Sequence, residues 1–221
     1  MTKFLFIRHG ESEGNLYELF TGQGDRPLTE KGRKQAAATA EYIAAHYRYS
    51  SRNHSLADTV YASDLSRAFD TGKAAADRLG LPITPEPGLR EILAGEWEGV
   101  HFRDLPEKFS EDYALWMHDI GKSRCTGGES VAELGERVYR TVLAIAEANP
   151  DRTVLIATHA TPIRTLQCRF AGVGLDAMQQ IPWVPNASVT EADFEDGVWI
   201  PRMIGEAGHL AGIRTELPTD V

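Results

Sequence analysis

The sequence predicts an α/β fold in which helices cover both faces of a mostly parallel sheet. Short apolar runs typical of buried strands alternate along the chain with longer amphipathic segments typical of helices. Of the 221 residues, 42% are hydrophobic and 25% are charged, which is ordinary for a globular protein. At roughly 150 residues per domain, this length favours one domain over two. We therefore expect a single domain over residues 1–221.

The first part of the chain contains two strand-and-helix pairs. Lys3–Ile7 is apolar at consecutive positions, as in a strand that is covered on both faces. Thr29 can cap a long, alanine-rich helix. Asp58–Ala62 predicts a second strand, and Ser63 or Asp64 is expected to cap the helix that follows it.

The middle of the chain is less regular. Prolines and glycines interrupt the pattern from Pro82 to about Gly128, where only a short helix near Phe109–His118 is predicted. We expect this stretch to leave the main sheet, with residues 93–126 forming a cap over a site. Its aromatic side chains either line an apolar pocket or form the core of the cap: Phe102, Phe109, Tyr113 and Trp116. Its cations either contact a second anionic group of a substrate or lie in solvent: Lys108, Lys122 and Arg124.

The last part of the chain returns to regular elements. Ser130 and Glu133 have the spacing of a capping box at the start of an amphipathic helix. Thr153–Thr158 predicts a third buried strand, and a helix follows it with Pro162 at or near its first position. Residues 187–204 have the pattern of a β-hairpin.

Charge and cysteine content exclude several classes of protein. The net charge is 23 − 32 = −9, which argues against general binding of nucleic acid or anionic membranes. No run approaches the ~18 apolar residues of a membrane span, and no signal-peptide pattern is present. Cys125 and Cys168 form no CxxC motif and suit a reducing compartment, although one disulfide stays open. We expect a cytoplasmic protein.

Several chemically active side chains directly follow predicted strands. Arg8 and His9 follow the first strand, Arg67 lies early in the helix after the second, and His159 follows the third, while a loop ahead of the cap contributes Glu91. Ligands of open α/β sheets bind at the carboxyl ends of strands, so these side chains should meet there. Taken singly, each has an ordinary structural or surface explanation. No HxH, HExxH or similar spacing is present, so no metal site is expected.

A set of motifs runs through the chain in a fixed order as far as about residue 194. It begins with Phe4–Ser12, which contains Arg8-His9-Gly10, and continues with Asn15, Thr21-Gly22, Pro27–Gly32, Ala62–Ala68, Leu89–Ile92, Gly95–Gly99, Gly127–Ser130, Thr158-His159 and Asn186–Thr190. This set resembles the histidine phosphatase superfamily, in its phosphoglycerate mutase-like branch. The triplet alone is a weak signal, whereas the ordered set is specific.

The resemblance implies a three-layer α/β/α sandwich and catalysis through a phosphohistidine, without a metal or cofactor. It implies the following roles by position: His9 as nucleophile, Arg8, Arg67 and His159 as holders of the phosphoryl group, Asn15 as their assistant, Glu91 as proton donor, and Thr21 and Gly22 in contact with substrate. Ala160 stands where the family has glycine, and its N–H is kept for the phosphate. Gly205–Leu210 matches the family's usual tail only loosely, which leaves the C-terminal wall of the pocket open.

The expected chemistry follows from charge. Planar guanidiniums bind phosphoryl oxygens in pairs, and the charges of Arg8 and Arg67 should lower the pKa of His9. A phosphate dianion beside Glu91 should raise the pKa of that carboxyl. The loop after Arg90 resembles the phosphatase branch, so we expect hydrolysis of small phosphate monoesters. Phosphoglycerate mutase-type transfer and a non-catalytic phosphate-binding protein are the alternatives. Exposed aromatic side chains in the cap would suit a homodimer.

Overall fold

The computed structural model describes residues 1–47 and 57–216. Its strands and helices are, in chain order, β1 (Thr2–Arg8), α1 (Glu13–Leu16), β2 (Leu19–Phe20), α2 (Glu30–His46), β3 (Ala57–Ala62), α3 (Ser66–Leu79), β4 (Ile83–Pro85), β5 (Val100–His101), α4 (Leu105–Lys108), α5 (Ser110–His118), α6 (Val131–Ala148), β6 (Thr153–Thr158), α7 (Ala160–Phe170), β7 (Val189–Glu195) and β8 (Val198–Glu206). Short 3₁₀ turns connect several of them.

Six strands form the central sheet, in the order β4-β3-β6-β1-β7-β8. The first four are parallel, while β7 and β8 form the predicted hairpin and run antiparallel. In this register Arg8 lies beside Thr158. The residues that follow both strands therefore meet at one edge, and the prediction of a mostly parallel α/β fold is confirmed.

Both faces of the sheet are buried, as the consecutive apolar residues of β1 predicted. Phe4 and Phe6 belong to one core cluster, which includes side chains of α6 and α7. Leu5 and Ile7 belong to a second cluster, which includes side chains of α2 and α3. The alternation of a strand thus places β1 between two helical layers.

The prediction that the chain leaves the sheet from Pro82 onward was wrong at its start. Ile83–Pro85 pairs in parallel with β3 and forms the edge of the sheet. The prolines suggested a loop, but proline is tolerated on an edge strand because no further strand needs its missing N–H.

The expected cap of α3 was also wrong. Its N-cap residue is Leu65, which makes no side-chain capping bond. Ser63 instead contacts the ring of His159, and Asp64 forms an ion pair with Arg90. Other caps were predicted correctly, since Thr29 caps α2 and the Ser130–Glu133 capping box opens α6.

The aromatic side chains of segment 93–126 divide between the two expected places. Phe109 and Tyr113 pack against the fully buried Trp97 inside the segment, while Phe102 and Trp116 line the main pocket. Lys108, Lys122 and Arg124 are exposed, and the last two pair with Asp119 and Glu133. These three cations therefore occupy the surface rather than the pocket.

Two further sequence observations have structural outcomes. Cys125 and Cys168 are both buried and free, so no disulfide joins them. In the described part of the chain, every helix is too short or too polar to cross a bilayer.

Candidate active site

A pocket of about 590 Å³ lies at the carboxyl edge of the parallel strands. Its walls include eight of the nine predicted site residues: Arg8, His9, Asn15, Thr21, Gly22, Arg67, Glu91 and Ala160. The ninth, His159, is fully buried, and its ring centroid lies 5.2 Å from that of His9. The structure therefore brings the predicted residues together from distant parts of the sequence.

His9 is held by backbone atoms at the end of β1. Its amide donates to the carbonyl of Thr158 at 3.0 Å, and its Nδ1 lies 2.7 Å from the carbonyl oxygen of Gly10. A carbonyl only accepts hydrogen bonds, so Nδ1 carries the proton and Nε2 keeps its lone pair. Burial, reinforced by the charges of Arg67 and Arg8, holds the pKa of His9 well below its usual range. The sequence prediction of a lowered pKa was right, but burial is the larger cause.

Gly10 allows close packing behind His9. A Cβ at this position would lie 2.5 Å from the carbonyl oxygen of Gly32, closer than atoms can approach. The Gly10 amide donates to Thr71 Oγ1 at 3.0 Å. These contacts fix the loop that supplies the acceptor for His9 Nδ1.

Arg8 and Arg67 are buried cations that bond to backbone carbonyls. Nη1 of Arg8 donates to Val184 O at 2.6 Å, and Arg67 donates to Gly22 O at 2.7 Å and Gly24 O at 3.0 Å. The Nε atoms of both arginines are buried without a hydrogen-bond partner in the described part of the chain. Burial lowers the pKa of Arg8 to about 10. Buried positive charge with unused donors favours an anionic ligand.

His159 is the N-cap residue of α7. Its Nε2 lies 2.8 Å from Ser63 Oγ, and its Nδ1 is buried without a partner among the described residues. Burial, with smaller contributions from the charges of Arg67 and its neighbours, holds the pKa of His159 well below its usual range. The side chain is therefore a neutral imidazole in a fixed orientation, with one ring nitrogen unused.

Glu91 is held where β6 passes into α7. One carboxyl oxygen accepts from the amide of Ile92 at 2.9 Å, and the other accepts from Thr161 N at 3.3 Å. Burial raises the pKa of Glu91 and outweighs these hydrogen bonds and the charge of Arg67, which lower it. The carboxyl is thus disposed to carry a proton even before a phosphate is present. The Thr161 N–H at the start of α7 is therefore engaged by Glu91.

Asn15 connects two parts of the pocket. Its side-chain oxygen accepts from the Ser12 amide at 3.1 Å and from Asn186 Nδ2 at 3.2 Å. Asn186 also donates to the carbonyl of His9 at 3.0 Å. These bonds all use the side-chain oxygen of Asn15 as acceptor. Asn186 lies in the last motif of the resemblance, which is the signal that could have identified it.

Thr21 and Gly22 belong to the loop that holds Arg67. Gly22 has φ +46°, which favours glycine, and its carbonyl accepts from the guanidinium. Both residues line the pocket. Gly22 therefore helps to fix the guanidinium of Arg67 at the pocket.

Sequence reasoning missed the charged rim of the pocket. Lys31 lies 3.1 Å from Glu11, whose same oxygen accepts from Thr215 Oγ1 at 2.8 Å. Arg214 and Glu216 line the same side. The C-terminal part of the chain reaches this rim through long-range contacts that have no local pattern.

A buried imidazole whose pKa is lowered, two buried guanidiniums with unused Nε donors and a buried carboxyl whose pKa is raised surround one space. This combination suits phosphoryl transfer, in which charge develops on three oxygens and must be stabilised in place. Among the described residues, no group of histidine, cysteine and carboxylate side chains has the arrangement of a metal site.

Comparisons with known proteins agree with this chemistry. A family model described as the histidine phosphatase superfamily (branch 1) matches residues 4–206. The chain is 32% identical over 175 residues to phosphoserine phosphatase 1 of Hydrogenobacter thermophilus, a match that covers 79% of each protein. It is 30% identical over 173 residues to the adenosylcobalamin/alpha-ribazole phosphatase of Escherichia coli, covering 78% of this chain and 80% of that protein.

Solved structures show the same similarity. YhfR of Bacillus stearothermophilus superposes with a TM-score of 0.86 and 26% identity, over 95% of this chain and 100% of that one. Some mycobacterial relatives are longer, and this chain spans 55% of their length.

Proposed function

The chain belongs to the histidine phosphatase superfamily, and we propose that it hydrolyses phosphate monoesters of small molecules through a phosphohistidine on His9. The observation that carries this proposal is the hydrogen bond between His9 Nδ1 and Gly10 O at 2.7 Å. It leaves Nε2 as the attacking atom, in a pocket with two guanidiniums whose Nε donors are unused.

In the first step, Nε2 of His9 attacks phosphorus and the bond to the ester oxygen breaks. The transferring group has a loose transition state, with charge on three equatorial oxygens. Arg8, Arg67 and His159 hold these oxygens, with Asn15 and the amide of Ala160 in support. Removal of one such donor commonly costs about 10²–10³-fold in rate.

Glu91 serves the ester oxygen. Its carboxyl donates a proton to the departing alkoxide, which would otherwise be a poor leaving group. The raised pKa keeps this proton available, and the phosphate dianion raises it further. In the second step, the carboxylate that remains takes a proton from water as the water attacks the phosphohistidine. Phosphate leaves, and both His9 and Glu91 return to their starting states.

Hydrolysis in H₂¹⁸O tests this proposal. The wild type, incubated with a panel of phosphate monoesters, should release phosphate that contains one ¹⁸O atom per turnover, with phosphate and alcohol in equal amounts. EDTA should leave the rate unchanged. Transfer of the phosphoryl group to a second substrate molecule without ¹⁸O uptake would contradict hydrolysis, as would turnover that the chelator abolishes.

A further inference from the structure

One side of the pocket is a continuous wall of aromatic rings. It consists of Phe102, Phe20, Trp116 and Trp183, all of which line the pocket. Ring centroids are 5.6 Å apart between Phe102 and Phe20, 5.1 Å between Phe20 and Trp116, and 6.4 Å between the stacked rings of Trp116 and Trp183. We call these four side chains the aromatic wall.

The middle of the aromatic wall is fixed from behind. Phe20 and Trp116 are nearly buried, and both contact the fully buried Trp97, at 5.2 and 6.0 Å between ring centroids. Phe102 and Trp183 at the two ends are partly exposed. The wall therefore offers apolar surface to the pocket at its ends while its centre is held by the core.

Arg164 supports the Trp183 end. It is only 4% exposed, and its guanidinium carbon lies 4.1 Å from the centroid of the Trp183 ring. The guanidinium also donates to the carbonyls of Ile181, Met178 and Gln179, at 2.7, 2.9 and 3.3 Å. Arg164 forms no ion pair with any described residue. A buried cation that binds only carbonyls and a ring fixes the loop that carries them.

That loop also contacts the phosphate end of the pocket, which is the end formed by Arg8, His9, Arg67 and His159. Val184 follows Trp183 directly, and its carbonyl accepts from Arg8 at 2.6 Å. Arg164 itself lies on α7, the helix whose first residues, Ala160 and Thr161, line the pocket. Trp183 thus directly precedes the residue whose carbonyl binds Arg8, and its ring lines the same pocket as Arg8 and Ala160.

The charged side chains that line the pocket away from Arg8, Arg67 and Glu91 do not favour a second anionic group. They are two cations, Lys31 and Arg214, and three carboxylates, Glu11, Glu18 and Glu216. Lys31 is already paired with Glu11 at 3.1 Å. An additional carboxylate or phosphate on the substrate would find no surplus of positive charge among them.

We propose that Arg164 is a positioning residue that holds Trp183 in the aromatic wall, and that the wall selects phosphate monoesters with a flat, apolar leaving group. The proposal rests on the proposed function. The aromatic wall is expected to favour esters with an apolar leaving group over esters whose leaving group carries a second anionic group.

The test compares three substrates: ethyl phosphate, 2-phenylethyl phosphate and 3-phosphoglycerate. The first two release primary alcohols of similar basicity, so the difference between their kcat/KM values reports contact with the phenyl ring. In the wild type, kcat/KM should be at least about tenfold higher for 2-phenylethyl phosphate, because the ring is removed from water. It should be lowest for 3-phosphoglycerate.

Two variants and a matched control locate the preference. Arg164→Met removes the charge and the carbonyl bonds, and the ratio of kcat/KM for 2-phenylethyl over ethyl phosphate should fall towards one. Arg169→Met is the control, because Arg169 lies on the same helix and stacks on Tyr139 at 4.5 Å outside the pocket. It should keep the wild-type ratio. If Arg164→Met does not fold, Trp183→Leu should lower the same ratio while Arg164 keeps its carbonyl partners.

The outcomes separate this inference from the proposed function. General loss of stability would lower both rates alike and leave the ratio unchanged, which would overturn the role of Arg164. A wild-type ratio near one, or a preference for 3-phosphoglycerate, in an enzyme that still forms the phosphohistidine would overturn the inference alone. Absence of both hydrolysis and phosphoenzyme with all three esters would overturn the proposed function together with it.

Discussion

The phosphate end of the pocket and the aromatic wall differ in how the fold holds them. Arg8 ends the central parallel strand β1, and His9 and His159 directly follow β1 and β6. Arg8 and His9 are held by backbone atoms of the sheet and adjoining loops. The wall is assembled from short elements, with Phe102 and Trp116 in the 93–126 segment and Trp183 in the loop after α7. In the proposed function, residues on regular elements therefore bind the phosphoryl group, which all substrates share. Residues on short elements and loops contact the leaving group, which differs between substrates.

This comparison has a kinetic consequence. Changes at the phosphate end should lower activity with every ester by a similar factor. Changes in the wall should alter the ranking of esters.

The largest effect is expected at His9. His9→Ala removes the attacking atom, so hydrolysis of all esters should fall by more than about 10³-fold, to the background rate. Initial rates with two esters of different leaving groups provide the measurement. Residual turnover within tenfold of the wild type for either ester would show that His9 is not the nucleophile.

Arg67→Lys should have the next largest effect. Lysine keeps the charge, but it cannot reproduce a planar guanidinium that holds two carbonyls and still has a free Nε donor. We expect kcat/KM to fall by about 10²–10³-fold for every ester. Arg33→Lys is a suitable control, since Arg33 bonds to Leu28 O outside the pocket lining. A loss confined to one class of ester would break the comparison between the two ends.

Glu91→Gln should separate leaving groups by basicity. Without a proton donor, ethyl phosphate should lose about 10²–10⁴-fold, whereas p-nitrophenyl phosphate, which needs no proton, should lose less than about tenfold. In the wild type, activity towards alkyl esters should decline as pH rises through the raised pKa of Glu91, because the proton is then lost. The variant should lack this decline. Equal losses for both esters would contradict the role of Glu91 as acid.

The smallest expected effect is on stability. The folded protein holds the pKa of His159 well below 6.5. As the pH falls below 6.5, the unfolded chain therefore binds a proton at His159 while the folded protein does not. Stability is therefore lost on acidification in that window, by up to about 1.4 kcal/mol per pH unit for each such histidine. Urea unfolding at pH 7.0 and 5.5 should show that the wild type loses about 1 kcal/mol more than His159→Gln. Equal losses would mean that His159 is not held neutral.

The phosphate end could be predicted from the sequence because its residues obey a topological rule. The carboxyl ends of parallel strands meet at one edge, so Arg8 and His159 were expected at the same edge once their strands were recognised. The structure adds that β1 and β6 are neighbours, which brings the two residues close together. Glu91 does not directly follow a predicted strand, and its expected role came from the family resemblance. Asn186 and the Gly22 carbonyl support these residues through contacts that no spacing encodes.

The wall and rim were largely beyond prediction, for a physical reason. Phe102, Phe109, Tyr113 and Trp116 are all large aromatic side chains, and only tertiary packing decides which of them face the pocket. Trp183 and Thr215 reach the site through contacts with Arg164 and Glu11, which are distant in sequence. The edge strand Ile83–Pro85 was missed because Pro82 and Pro85 suggested a loop, whereas an edge position tolerates proline.

The proposed catalysis requires that Nε2 of His9, and not Nδ1, receives the phosphoryl group. The wild type should be mixed rapidly with a phosphate ester, quenched in base and examined by ³¹P NMR and peptide mass spectrometry. A single phosphohistidine at His9, of the isomer with phosphorus on Nε2, is the predicted result, because Nδ1 is bound to Gly10 O. Phosphorus on Nδ1, on another residue, or on no residue during steady hydrolysis would contradict it.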